Sequence, residues 1–192
     1  MGGLAGIRTV FLDRDGTLNL KAPDGQYVTD PAGLVLLPGA AEAVARLNAS
    51  GLRVILVTNQ RWLSQPGYDP ARYAAVHSRL VRLLAAAGAR LDDAYHCPHQ
   101  CGACDCRKPA PGLLMRAATE HRLDLACSVM IGDSPSDVLA GRAAGTRTIL
   151  LRAGLSGPTL QSVPAVRAAD AEASDLSAAV DLLLRDHTQL ST

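Results

Sequence analysis

Four short apolar runs rich in β-branched residues constrain this chain more than any other feature. They are IRTVFL at 7–12, RVILVT at 53–58, SVMI at 128–131 and TILL at 148–151. Each has the length of one buried strand. Between them lie Ala- and Leu-rich segments of helical period at 40–48, 70–87, 111–121 and 135–144, and another follows at 175–184. This alternation predicts an α/β fold of three layers: a doubly wound, mainly parallel sheet with helices on both faces. Gly51, Gly88 and Gly145 stand where helix C-termini favour glycine. Pro111 and Pro135 suit first helical turns, and Ser134 and Ser174 are the expected N-caps.

The 192 residues suffice for one domain, expected over 1–192, with its core at 7–151, a C-terminal helical segment at 175–184 and a polar, frayed tail beyond about 186. Segment 19–28 breaks the alternation and is expected to form a flap with a turn at Asp24–Gly25. No large insertion follows the first or second strand, so the site at the strand ends should be capless and open.

Composition removes several function classes. A formal net charge of +1 offers no field for nucleic acid or an anionic membrane, and 3% aromatic residues leave few stacking platforms. No apolar run approaches the roughly 18–20 residues of a spanning helix. The N-terminus lacks the basic flank and apolar core of a secretory signal, and Gly6 occupies the position where myristoylation wants Ser or Thr. A cytoplasmic protein is expected, and a monomer, since no heptad seam or long apolar edge is visible.

Polar residues follow the strands with regularity. The first strand runs into Asp13-Arg14-Asp15-Gly16-Thr17, the second into Thr58-Asn59-Gln60, and SVMI into Gly132-Asp133. Ligands of open parallel sheets bind outside the carboxyl ends of the strands, so these groups should meet in one crevice. Asp13 and Asp15, two apart on an extended chain, point the same way and repel unless a cation or a proton intervenes. Mg2+, which takes a few carboxylates with water and phosphate oxygens, suits them, and Asp133 would add a further ligand. One carboxylate can attack phosphorus while the other shuttles a proton. Lys108 supplies positive charge for a transferring phosphoryl group and Thr58 a hydroxyl donor. Taken singly, Asp133 is equally a helix cap and Lys108 a surface lysine; arriving together at strand ends, they point to a site.

Five cysteines are present, four of them within 97–106, too tightly spaced for a disulfide framework. With His99 they offer five soft ligands, and structural Zn2+ takes four, all from protein. A C-x-H and a C-x-C leave Cys101 over, or Cys101 replaces one of them.

The segments FLDRDGTLN (11–19), VTNQ (57–60), CRKP (106–109) and IGDSPSD (131–137) together resemble the haloacid-dehalogenase-like superfamily. The resemblance implies a magnesium-dependent phosphatase that works through an aspartyl-phosphate. Asp13 would be the nucleophile, Asp15 the acid/base and Lys108 the charge stabiliser. Mg2+ would be held by the Asp13 and Asp133 carboxylates and the Asp15 carbonyl, Asp137 would support it through water, and Thr58 and Asn59 would hold the phosphoryl group. The cysteine loop resembles that of the subgroup acting on heptose bisphosphate and histidinol phosphate, which implies Zn2+ on Cys97, His99, Cys104 and Cys106. The zinc would brace the loop that carries Arg107 and Lys108. Arg107 is placed to bind a second phosphate, which favours a sugar bisphosphate; histidinol phosphate is the alternative substrate. After VTNQ the subgroup carries an SGIARG-like loop, whereas this chain has RWLSQPGY at 61–68, in which Arg61 is the candidate replacement arginine. A zinc-stabilised phosphate-binding protein without turnover is the third reading.

Overall fold

A computed structural model describes residues 4–23, 26–67, 69–152 and 168–188, with side chains to 185. Six parallel strands form the sheet: β1 Thr9–Leu12, β2 Arg53–Asn59, β3 Asp93–Cys97, β4 Ser128–Gly132, β5 Arg147–Leu151 and β6 Ala171–Ala173. Their order is β3-β2-β1-β4-β5-β6. The order reverses between β1 and β4, whose register pairs Leu12 with Ile131. Such a switch point is where a doubly wound sheet opens a crevice.

Strand parity explains the layers. Val10, Leu12, Val54, Leu56, Val129 and Ile131 face one way, packing under α1 (Ala40–Ala49), α2 (Pro70–Ala85) and α5 (Leu176–Thr188). Phe11, Ile55, Val57 and Met130 face the other, under α3 (Gly112–His121) and α4 (Pro135–Ala144). Because both faces are covered, strand residues are apolar at successive positions rather than alternately.

Two strands were not apparent as apolar runs. β3, DAYHC, buries Tyr95 and Cys97 and leaves Asp93 and His96 half-buried, as suits the edge it occupies. β6 is only Ala-Glu-Ala, on the opposite edge. Three helix ends also differ from expectation. Pro111 is the N-cap of α3 and not a first-turn residue. Asp175, not Ser174, caps α5, its carboxylate accepting from the Ala178 N–H at 2.9 Å. Ser174 donates its hydroxyl to that carboxylate at 2.8 Å instead. Helix α5 also continues to Thr188, past the expected 184. Ser134 precedes α4 as expected, and Asp137 reaches back to its N–H at 3.0 Å. The turn at Asp24–Gly25 and the tail from 189 lie outside the described residues.

Helix α4 lies close against the sheet because Gly141 has no side chain. A Cβ there would stand 2.7 Å from Thr148 Cγ2 and 2.8 Å from Met130 Cβ. Gly141→Ala should therefore destabilise the protein, although alanine is the better helix former by about 1 kcal/mol. Overpacking of about 1–3 kcal/mol is expected to win, seen as a lower urea midpoint at unchanged slope.

Candidate active site and metal centre

Asp13 directly follows β1, and its N–H continues the ladder to the Ile131 carbonyl at 3.1 Å. Across the switch point Asp133 directly follows β4, and both side chains are buried. Two glycines make room. A Cβ on Gly16, whose φ is +92°, would stand 2.2 Å from Asp133 Oδ2, and one on Gly132 would stand 2.3 Å from Asp137 Cγ. Ligand oxygens of Asp13, Asp133 and Asp137 consequently lie within 4.8 Å of one another.

Lys108 enters this acidic cluster from the far side. Its Nζ donates to Asp13 Oδ1 at 2.7 Å and to the Val57 carbonyl at 2.8 Å. It is also ion-paired with Asp137 Oδ1 at 2.6 Å. Asn59 holds the lysine backbone from both sides, donating to its carbonyl at 2.9 Å and accepting from its N–H at 3.1 Å. The Asn59 amide, expected on the phosphoryl group, is thus engaged in fixing Lys108. A second cation, Lys21 from the flap segment, is hydrogen-bonded to Asp133 Oδ2 with its side chain 49% exposed.

Positive charge is still in deficit. Burial pushes Asp13 up to about 7, with Asp137 and Asp133 adding to the rise and Lys108 opposing it. Burial likewise raises Asp133 against the pull of Lys21. Asp133 Oδ1 is buried with no hydrogen-bond partner. A cluster of close carboxylates with an unpartnered oxygen is the donor set a hard divalent cation fits.

Asp13, Asp15, Lys21, Thr58, Asn59, Lys108, Asp133 and Asp137 line a cavity of about 150 Å3 at the strand ends. A second cavity of about 210 Å3 adjoins it, sharing Asp15, Lys21 and Asn59 and walled by Pro23, Tyr27 and Val28 of the flap. A larger hollow lined by Arg8, Arg53, His121 and Arg122 sits at the opposite ends of the strands and contains none of these carboxylates. Arg61 and Arg107 line neither active-site cavity. Arg61 is turned onto Tyr27, bonded to its hydroxyl and stacked 5.6 Å from its ring centre. Arg107, half-buried, reaches only the His99 carbonyl among the described residues, at 3.4 Å. Sequence reasoning gave no role to Lys21, whose signal was its place in the flap, or to Arg14 and Gln60, whose signal was their place in the polar segments that follow β1 and β2.

The loop after β3 gathers Cys97, His99, Cys104 and Cys106. Five separations among their ligand atoms run from 3.2 to 3.6 Å. A tetrahedron with arms of about 2.3 Å has edges of about 3.8 Å, so the four atoms surround one metal-sized centre. Cys101 is exposed and outside the group. Burial and the neighbouring thiols Cys104 and Cys97 push Cys106 up to about 12. Cys104 is drawn down to about 7 against its own desolvation, chiefly by its hydrogen bond with Cys106. A bound cation would relieve this crowding of thiols.

A family model described as HAD-hydrolase-like matches residues 105–179. A D-glycero-D-manno-heptose-1,7-bisphosphate 7-phosphatase of Thermosynechococcus vestitus is 40% identical over 185 residues, covering 90% of this chain and 93% of its own. A D-glycero-beta-D-manno-heptose-1,7-bisphosphate 7-phosphatase of Pasteurella multocida is 37% identical over 155 residues, covering 77% and 83%. The crystal structure of the D,D-heptose 1,7-bisphosphate phosphatase of B. bronchiseptica, complexed with magnesium and phosphate, matches with a TM-score of 0.84 at 32% identity, over 94% of this chain and 99% of that one.

The raised Asp13 has a thermodynamic signature. In the magnesium-free protein, Asp13 holds its proton up to about 7 when folded but only to about 3.8 when unfolded. The folded state then binds more protons between these values, so stability falls as pH rises from about 4 to about 7. Asp13→Asn should remove this slope, making the variant more stable than wild type at pH 8 and closer to it at pH 5. Parallel urea titrations at the two pH values check the difference.

Proposed function

The chain belongs to the haloacid-dehalogenase-like hydrolase family, and on that premise we propose that it is a magnesium-dependent phosphatase removing the 7-phosphate of a heptose 1,7-bisphosphate. The observation that carries the reading is the buried Asp13–Lys108–Asp137 group beside Asp133 at the switch point. A lysine paired with two carboxylates in a water-accessible cleft is a poor structural device, since a well-packed apolar core would be at least as stable. It is a good arrangement for meeting a phosphoryl group. The names of the relatives support the heptose over histidinol phosphate.

In this reading one Asp13 oxygen attacks phosphorus while the ester P–O bond breaks, and Asp15 gives a proton to the departing sugar oxygen. Asp15 then takes a proton from water, whose oxygen attacks the same phosphorus; the Asp13–phosphorus bond breaks and inorganic phosphate leaves. Lys108 and the Thr58 hydroxyl hold the phosphoryl oxygens. The Asp13 and Asp133 carboxylates with the Asp15 carbonyl would hold Mg2+, which would neutralise the reacting charges. The sugar would lie in the flap cavity. Arg107 would turn from the His99 carbonyl to the second phosphate, a pairing that guanidinium geometry favours. Zn2+ on Cys97, His99, Cys104 and Cys106 would brace the loop two residues before Lys108.

Phosphate release from heptose 1,7-bisphosphate and from histidinol phosphate, with Mg2+ present, tests the substrate. The bisphosphate should have the higher kcat/KM, and Asp13→Asn should lose about a thousandfold or more in kcat. Equal turnover by wild type and variant would remove Asp13 from the nucleophile's role. Metal analysis should find about one zinc per chain. Cys104→Ser should lower zinc content, melting temperature and kcat together; loss of zinc with full kcat would separate the loop from catalysis.

A further inference from the structure

Behind Asp15 lies a buried polar network with a direction to it. Gln60 is 1% exposed, and its side-chain oxygen accepts from Trp62 Nε1 at 2.7 Å and from Arg14 Nη2 at 3.1 Å. Both partners are donors only, an indole N–H and a guanidinium, so the oxygen of the amide must face them. Its NH2 group is therefore turned the other way, onto Asp15 Oδ2 at 2.8 Å and Thr58 Oγ1 at 2.9 Å. Because Thr58 Oγ1 accepts here, its own proton is left to be given elsewhere. No acceptor for that proton exists among the described residues, and Thr58 lines the cavity beside Asp13.

Of the two donors that orient the amide, Trp62 makes the shorter bond, at 2.7 Å against 3.1 Å for Arg14. Arg14 Nη2 has two protons for three acceptors, since it also reaches Asp15 Oδ1 at 3.1 Å and Oδ2 at 3.0 Å. Trp62 is buried in the 3-10 turn Arg61–Ser64 that follows β2.

We propose that Trp62 and Gln60 are positioning residues of the hydrolytic site. The indole N–H sets the sense of the Gln60 amide, which fixes the Asp15 carboxylate and aims the Thr58 proton at the phosphoryl group. The catalytic part of this inference rests on the phosphatase reading; the orientation of the amide does not.

Trp62→Phe tests it, removing the N–H while keeping an aromatic ring. With Mg2+ and a phosphate ester, kcat per active site should fall about tenfold and KM should stay within about twofold. Active sites are counted by acid-trapped phosphoenzyme, so that misfolded chains do not enter kcat. In the magnesium-free protein, the Gln60 side-chain amide signals should lose hydrogen-exchange protection in the variant. Gln60→Glu is the second variant: it keeps an acceptor for Trp62 and puts an oxygen against Asp15 and Thr58. It should lose about a hundredfold in kcat if the NH2 group matters. Amide protection unchanged in Trp62→Phe would overturn the proposal, as would a loosened amide with unchanged kcat, or a Gln60→Glu enzyme of near-native kcat. A wild type that releases no phosphate from any ester would sink the phosphatase reading instead, and amide protection would then decide the orienting role of Trp62.

Discussion

The ammonium of Lys108 is the interaction on which the rest of the site depends. It donates to Asp13 and to the Val57 carbonyl, and its charge is also paired with Asp137. Burial works against the charge, but Asp13 and Asp137 overcome it and hold the lysine above its usual range. The group therefore stays cationic at neutral pH, and its position is set by the end of β2, the end of β1 and the first turn of α4 at once. Remove it and two carboxylates remain close together without their shared counter-charge, an arrangement that buried charge tolerates poorly.

Holding a lysine there is a problem of chain delivery, because residue 108 lies in a loop far from either carboxylate in sequence. Two devices address it. Asn59, at the end of β2, clips the Lys108 peptide on both its N–H and its carbonyl. The Cys97–His99–Cys104–Cys106 cluster folds the loop into a compact knot that ends two residues before the lysine. The knot is itself tied to the sheet, since Cys97 closes β3 and its carbonyl accepts from the Gln60 N–H at 2.8 Å. One short stretch of backbone thus joins the thiol cluster, the lysine clip and the Asp15 network.

Much of this was legible in the sequence because buried strands and helix stops are local signals. The apolar runs located β1, β2, β4 and β5, and the residues just after them located the carboxylates. β3 was missed because an edge strand buries one side only, so Asp93 and His96 interrupt the apolar run that identified the others. β6 was missed because three residues of Ala-Glu-Ala carry almost no strand preference. The spacing of the cysteine loop left Cys101 as an alternative ligand and the resemblance implied the other four, which the structure gathers with Cys101 outside. Arg61 and Arg107, expected at the substrate, line neither active-site cavity, because their side-chain directions depend on Tyr27 and His99, from another segment and the far side of the loop. Lys21, Arg14 and Gln60 stand in segments the sequence singles out, but their partners are set only when the flap and the strand ends converge.

Gly16 and Gly132 carry no functional group, and neither supplies a ligand atom to the carboxylate cluster. Yet any side chain at either position would collide with Asp133 or Asp137 at under 2.5 Å. The tolerance of this chain to mutation will therefore not map onto its chemistry. A saturation scan scored on activity should return both glycines among the least permissive positions, level with Asp13 and Asp133, so that intolerance alone would overcount the reacting groups. The empty volume beside a carboxylate is as much a determinant of the site as the carboxylate is.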